Sequence, residues 1–240
     1  MKINKQSNIY TYIYIIVLVT IVGAALSLTY MSLKDKQQAN ADAEKMKQIL
    51  ASVHIIPKDG QVQTEYEHYI TDSFIINPQG KRMEGDAFDV DVATQVKEPV
   101  DSRLLPVYVC NLGKDGVKYI LPVYGAGVWG PIWGYIAVDA DGSTIYGTYF
   151  SHQGETPGLG AEIQKPEFSN KFNGKHLFFD GRFIPVTVVK TGQKANTGGD
   201  QVDGVTGGTI TSKGVSTMLD DCLTPYKPFL NSLNSTDNKK

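Results

Sequence analysis

The feature that most constrains this chain is a run without charge. No Asp, Glu, Lys or Arg occurs from Gln6 to Leu33, and the core of the run reads IYTYIYIIVLVTIVGAALSLTYMSL. A helix of about 25 residues spans about 37 Å, against about 30 Å of bilayer hydrocarbon. The run is too long for the apolar region of a cleaved signal peptide, normally about 7–15 residues. Apolar residues cover all its faces, which disfavours a buried soluble helix. Tyr10, Tyr12, Tyr14 and Tyr30 mark its two ends as interfacial belts do. Residues 9–33 therefore read as a transmembrane helix, preceded by a short N-terminus over 1–8. Lys2 and Lys5 precede the span, and Lys34 and Lys36 follow it. The positive-inside count hardly discriminates, but the short, acid-free side leans cytoplasmic. That orientation places the rest of the chain on the periplasmic side of a bacterial inner membrane.

Residues 34–56 read as a helical stalk. Ala39, Ala43, Met46, Leu50 and Val53 recur at spacings of three and four, and Pro57 with Asp59-Gly60 ends the pattern. A second short helix is expected in EYEHYITDSF. Beyond it the texture turns to β: LPVYVCNL, KYILPVYG, WGYIAVDA, STIYGTYF and PVTVVKTG alternate with turn pairs Asp115-Gly116, Asp141-Gly142 and Asp180-Gly181. Asp86, Asp89 and Asp91 alternate with apolar residues, as on a solvated strand face. After Ser212, read as an N-cap, Val215, Met218, Leu219, Cys222 and Leu223 fall on one helical face, and Pro225 stops the helix. The fold class is α+β: one N-terminal transmembrane helix, then an antiparallel-sheet domain over 57–230 with a C-terminal helix, and a flexible polar tail over 231–240.

Twenty-three basic against twenty-five acidic residues give a formal charge of −2, with no global basic field for nucleic acid. Two cysteines make neither a disulfide framework nor a thiolate metal site, and both read as buried thiols. The four histidines show no metal-ligand spacing, so no metal site is expected.

Three Gly-dense segments remain: YGAGVWGPIWGY (124–135), HQGETPGLGA (152–161) and DGVTGGTITS (203–212). Singly, each reads as a tight turn. The third runs straight into the amphipathic helix, and free N–H groups with the dipole at a helix start favour an anion, phosphate foremost. It is not a Walker loop, because G-x-x-x-x-G-K-[ST] is absent.

The segment DGVTGGTITS resembles the flavinylation motif of the FMN-binding domain family, and the other two resemble that family's Gly/Trp and E-T-P-G-L-G boxes. With one span ahead of the domain, the whole is similar to the C-subunit family of sodium-translocating NADH:quinone reductases. The resemblance implies FMN joined by a phosphoester to Thr209, attached by a magnesium-dependent flavin transferase that takes FAD as donor. It implies an electron-relay role within an assembly of six subunits, with no catalytic residue in this chain. One departure is visible: Gly208 stands where family motifs usually have Ala.

Trp129 and Leu159 are candidate apolar contacts of the flavin ring, with core packing the alternative, more so for Trp133. Glu155 and Thr156 are candidates for its polar atoms, Glu155 being alternatively a solvated turn residue. Gly160 and Gly208 belong to the same cofactor-binding set. Thr206 and Thr211 either hydrogen-bond the phosphate or satisfy backbone at the helix entrance. Asp203, with Gly204 and Gly207, serves either transferase recognition or the turn itself. Two other functions stay open: the G component of an Rnf-type ferredoxin–NAD reductase, and an anchored binding module that never carries flavin.

Overall fold

The structure, a computed structural model, describes residues 8–58, 60–195 and 197–237. The charges at Lys2 and Lys5, Asp59 of the Asp59-Gly60 pair and the last three residues lie outside the described residues. The chain divides into two units between Lys45 and Met46.

One helix, α1 (Asn8–Ala51), carries residues 9–33 and the stalk pattern as far as Leu50 without a break; Val53 lies in the turn beyond its end. It is the one helix among the described residues long and apolar enough to cross a membrane. Its hydroxyls are satisfied within it: Thr20 Oγ1 donates to the carbonyl of Ile16, and Thr29 Oγ1 to that of Ala25. The helix ends short of Pro57. Ile55 N donates back to the carbonyl of Leu50, and His54 takes a positive φ of 64°. That is a Schellman closure with His in the place Gly usually holds. Leu50 and Val53 of the expected stripe are buried; Ile49, outside it, is buried too.

The second unit begins with the end of α1, then α2 (Val62–Tyr69), and β1 (Ile70–Ile76), which pairs with β2 (Arg82–Met83). The segment expected as a second helix thus divides at Tyr69 into helix and strand, where the β-branched Ile70 and Thr71 begin. The expected strand face at Asp86–Asp91 is corrected. Asp86 accepts from Phe88 N to cap a 3-10 turn, and Asp91 accepts from Ala93 N to cap α3 (Val92–Gln95). Asp is among the residues that most favour N-caps, and here that preference prevails over a two-residue apolar alternation.

Four longer strands follow as consecutive hairpins: β3 (Leu105–Asn111), β4 (Val117–Ala126), β5 (Pro131–Asp139) and β6 (Ile145–His152). The sheet is antiparallel throughout, in the order β2-β1-β3-β4-β5-β6. Alternation sends Ile120, Tyr135 and Ala137 to one face with Ile49, Val53 and Tyr108. It sends Leu121, Val123 and Ile136 to the other. A short helix, α4 (Pro166–Ser169), adds Phe168 beneath β6, against Phe150 and Phe172. The ribbons β7 (Phe178–Phe179) with β8 (Arg182–Phe183), and β9 (Thr187–Val189) parallel to β10 (Gln201–Asp203), complete the strands.

Helix α5 (Thr209–Leu223) lies on the second face, burying Val215, Met218, Leu219, Cys222 and Leu223. Each such side chain contributes about 1.5–3 kcal/mol. Gly214 lets helix and sheet approach closely, since a Cβ there would stand 2.4 Å from the carbonyl oxygen of Ala126. The helix starts at Thr209, with Gly208 at the N-cap, four residues before the expected Ser212 cap. Pro225 stops α5, but a 3-10 turn leads into α6 (Lys227–Asp237), so helix replaces tail through Asp237.

Candidate functional site

The three Gly-dense segments converge at the N-terminus of α5. Val128, Trp129, Glu155, Thr156, Leu159, Gly160 and residues Gly207 to Thr211 line one cavity of about 320 Å³. The β4–β5 hairpin supplies the first two residues, the loop after β6 the next four, and the turn ahead of α5 together with the helix's own first turn the rest.

That turn is closed by local bonds. Gly204 N donates to the carbonyl of Val189, which ties the motif to the β9–β10 ribbon. Gly208 N donates to the carbonyl of Val205, and Gly207 sits at φ 77°, the third position of a type II-like turn. Ser212 Oγ accepts from Val205 N, so this hydroxyl braces the turn from inside the helix. A Cβ on Gly207 would lie 2.6 Å from Leu159 Cδ2. At Gly208, where the family motif has Ala, a Cβ would lie 3.2 Å from the Leu159 carbonyl carbon and from Val205 Cβ, a tight fit met by a small yield of both.

Gly208 offers no side-chain cap, so the N–H groups of Thr209, Ile210 and Thr211 open the helix without an intrahelical partner. Thr209 is exposed at this end, and Thr206 is exposed in the turn. Thr211 differs: it is buried, and its hydroxyl donates to Glu155 Oε2 at 2.5 Å. Its hydroxyl therefore goes to a carboxylate, not to the backbone of the helix entrance.

Glu155 is the hub. It is 5% exposed, not a solvated turn residue. Its Oε1 accepts from Val128 N at 2.8 Å and Trp129 N at 2.9 Å, while Oε2 takes the Thr211 hydroxyl. One carboxylate thus joins all three segments. Burial works to raise its pKa, but the Thr211 hydroxyl, the Trp129 and Val128 amides and nearby His152 outweigh it and hold the carboxyl below its ordinary value. Gly160 is required beside it: a Cβ there would stand 2.2 Å from Glu155 Oε2. Thr156 is exposed on the cavity lining, and its carbonyl accepts from Leu159 N and Ala161 N.

The rim is apolar and open. Trp129 is 72% exposed, Ile210 69% and Leu159 43%. Trp133, by contrast, is half-buried on β5 and donates to Gln48 Oε1 at 3.0 Å. Ile210 escaped the sequence reading, although a signal existed: it is a large apolar residue off the buried stripe of α5.

Asp203 is exposed at the end of β10, on the other side of the turn. Its backbone carbonyl accepts from Lys171 Nζ at 3.0 Å. With Gly204, Val205 and Thr206 it lines a second cavity of about 530 Å³. No cluster of metal-ligating side chains occurs among the described residues. Cys110 and Cys222 are buried free thiols, both pushed up to about 11 by burial.

The FMN-binding domain model matches residues 127–224, a span that contains every member of the site. The C component of the Na(+)-translocating NADH-quinone reductase of Vibrio anguillarum is 34% identical over 218 residues, covering 83% of this chain and 85% of the relative. The chain belongs to this family, the NqrC proteins. A member from Chlamydia muridarum is 38% identical over 134 residues, covering 49% of this chain and 42% of the relative. The crystal structure of the family member from Parabacteroides distasonis superposes with a TM-score of 0.78 at 48% identity, covering 82% of this chain and 96% of that one. NqrC of Shewanella oneidensis, 24% identical with a TM-score of 0.69, has the same fold. Membership of the NqrC family favours the C component of the quinone reductase over the Rnf-type G component.

The site suits FMN chemically. Three unpartnered helix N–H groups fit a phosphate, and the Trp129, Leu159 and Ile210 surfaces fit an apolar ring.

Proposed function

We propose that this chain carries FMN through a phosphoester on Thr209 and relays electrons within a membrane-bound sodium-translocating NADH:quinone reductase. The observation that carries this reading is the placement of an exposed Thr209 at an uncapped helix start, inside an apolar-rimmed cavity built from the three family boxes. FMN supplies the reversible redox chemistry at its ring, and the chain supplies position and environment. The Glu155 hub holds the Gly/Trp loop against the helix start, and Trp129, Leu159 and Ile210 would offer the ring an apolar surface.

Attachment is a phosphoryl transfer. Thr209 Oγ1 bonds to the FMN-half phosphorus of FAD, the P–O bond to the adenylyl half breaks, and AMP leaves. The hydroxyl proton passes to a base of the flavin transferase. Asp203, Gly204 and Gly207 present the turn to that enzyme. The ion pathway and the NADH and quinone sites belong to the other subunits of the assembly. The anchor α1 holds the domain on the periplasmic face, with the N-terminus cytoplasmic. Protease added to sealed right-side-out vesicles would digest the domain on this topology and spare it on the opposite one.

The test of attachment is flavin fluorescence of the chain on a denaturing gel, after co-expression with a compatible transferase. Wild type is expected to fluoresce and Thr209→Ala to be dark. A dark wild-type band, with the transferase active on another acceptor, would overturn the reading.

A further inference from the structure

The cavity at Thr209 has a neighbour. On the other side of Ile210, which lines both, lies a third hollow of about 380 Å³ bounded by Arg103, Tyr124, Lys213, Thr217 and Asp221 among others. Lys213 stands one helical turn after Thr209, and both are exposed. Residues four apart share one helix face, and helical side chains lean toward the N-terminus, which directs the Lys213 stem toward the turn that begins with Thr209. Its other helical neighbours at three and four residues are Ile210, Ser216 and Thr217, none of them charged. No ion pair involving Lys213 occurs among the described residues. Arg103, in the same hollow, has its guanidinium bonded to the backbone carbonyls of Val96, Glu98 and Asp221.

Resting on the reading of Thr209 as the flavinylated residue, we infer that Lys213 is the counter-ion of the phosphate on Thr209. A phosphodiester there carries one negative charge. The helix N–H groups meet it along the axis, and the ammonium meets it from one turn below. Anion at i and cation at i+4 is the favoured polarity for such a pair. This gives the flavin arm a second tether without any contact to the ring.

The test is the titration of Lys213 in the full chain, followed by NMR with carbon-labelled lysine, in protein matured with the transferase and in Thr209→Ala protein. Lys213→Arg identifies the resonance by deleting it. Arg103 and Asp221 are present in both forms, so their influence cancels in the comparison. The expected result is a Lys213 midpoint raised by about 0.2–0.4 pH units when the phosphate is attached, the size of an i,i+4 ion pair. A fluorescent, flavinylated chain whose Lys213 midpoint equals that of Thr209→Ala would overturn this inference and leave covalent attachment standing. A matured wild-type chain without flavin would overturn both.

Discussion

Replacing Glu155 by Ala tests whether one carboxylate holds the site together. The substitution removes the acceptor of three hydrogen bonds, from Val128 N, Trp129 N and the Thr211 hydroxyl. A buried donor left without an acceptor costs about 1–3 kcal/mol, and bonds to a charged group stand at the upper end. The adjoining cavity admits water to the vacated space, so the lower end applies to each, giving a loss of about 3 kcal/mol. For a domain of this size that lowers the melting temperature by about 6–12 °C. Glu155→Gln keeps the shape and one oxygen for the two amides, and loses about 1 kcal/mol at the Thr211 contact. Thermal and urea unfolding of the two variants, beside wild type, measure both numbers. The carboxyl titrates below its ordinary value of 4.5 in the folded chain. Its contribution is therefore complete above about pH 4.5 and is lost as pH falls through the lowered folded value. Glu155→Ala should flatten that acid limb. A Glu155→Ala loss under about 1 kcal/mol, with the acid limb unchanged, would show that this carboxylate does not hold the site together.

Gly207→Ala places a Cβ at a positive φ and 2.6 Å from Leu159 Cδ2, so it should lower stability by about 1–2 kcal/mol and slow flavinylation, read as band fluorescence against time. Gly208→Ala meets only 3.2 Å contacts and should cost under about 1 kcal/mol while flavinylation persists. Asp91→Ala should cost about 1 kcal/mol of urea stability, because Asp91 caps α3 and accepts from Thr94 Oγ1 at 2.5 Å. Cys110 and Cys222, buried with thiols near 11, should resist iodoacetamide at pH 8 in the folded chain and react on unfolding, as counted by intact mass.

What the sequence discloses depends on the range of the interaction. The anchor, the four long strands and α5 are legible because each repeats a local period over many residues. The acidic run at Asp86–Asp91 misleads for the same reason: a two-residue period holds equally for a strand and for successive capped turns, and only the Asp side chains' bonds to Phe88 N and Ala93 N distinguish them. Ser212 has the composition of an N-cap, yet the helix begins at Thr209, because the turn ends in Gly208 and the Ser212 hydroxyl braces Val205. Glu155 is the deepest case. Its partners lie 26, 27 and 56 residues away in sequence. No local pattern distinguishes such a hub from a solvated loop carboxylate. The three Gly-dense boxes marked the site in the sequence; their convergence came from the sheet, which brings the β4–β5 hairpin and the loop after β6 to the same end as α5.

The proposed role of this chain turns on a bond between the flavin phosphate and Thr209. The measurement that tests it most directly is tandem mass spectrometry of the peptide spanning residues 203–213 from the matured chain. It must locate the flavin phosphate among three threonines, two of them exposed. The whole modification is expected on Thr209, with Thr206 bare although it too is exposed and Thr211 bare because it is buried against Glu155. Flavin phosphate on Thr206 or Thr211, or a bare peptide from a chain matured beside an active transferase, would contradict it.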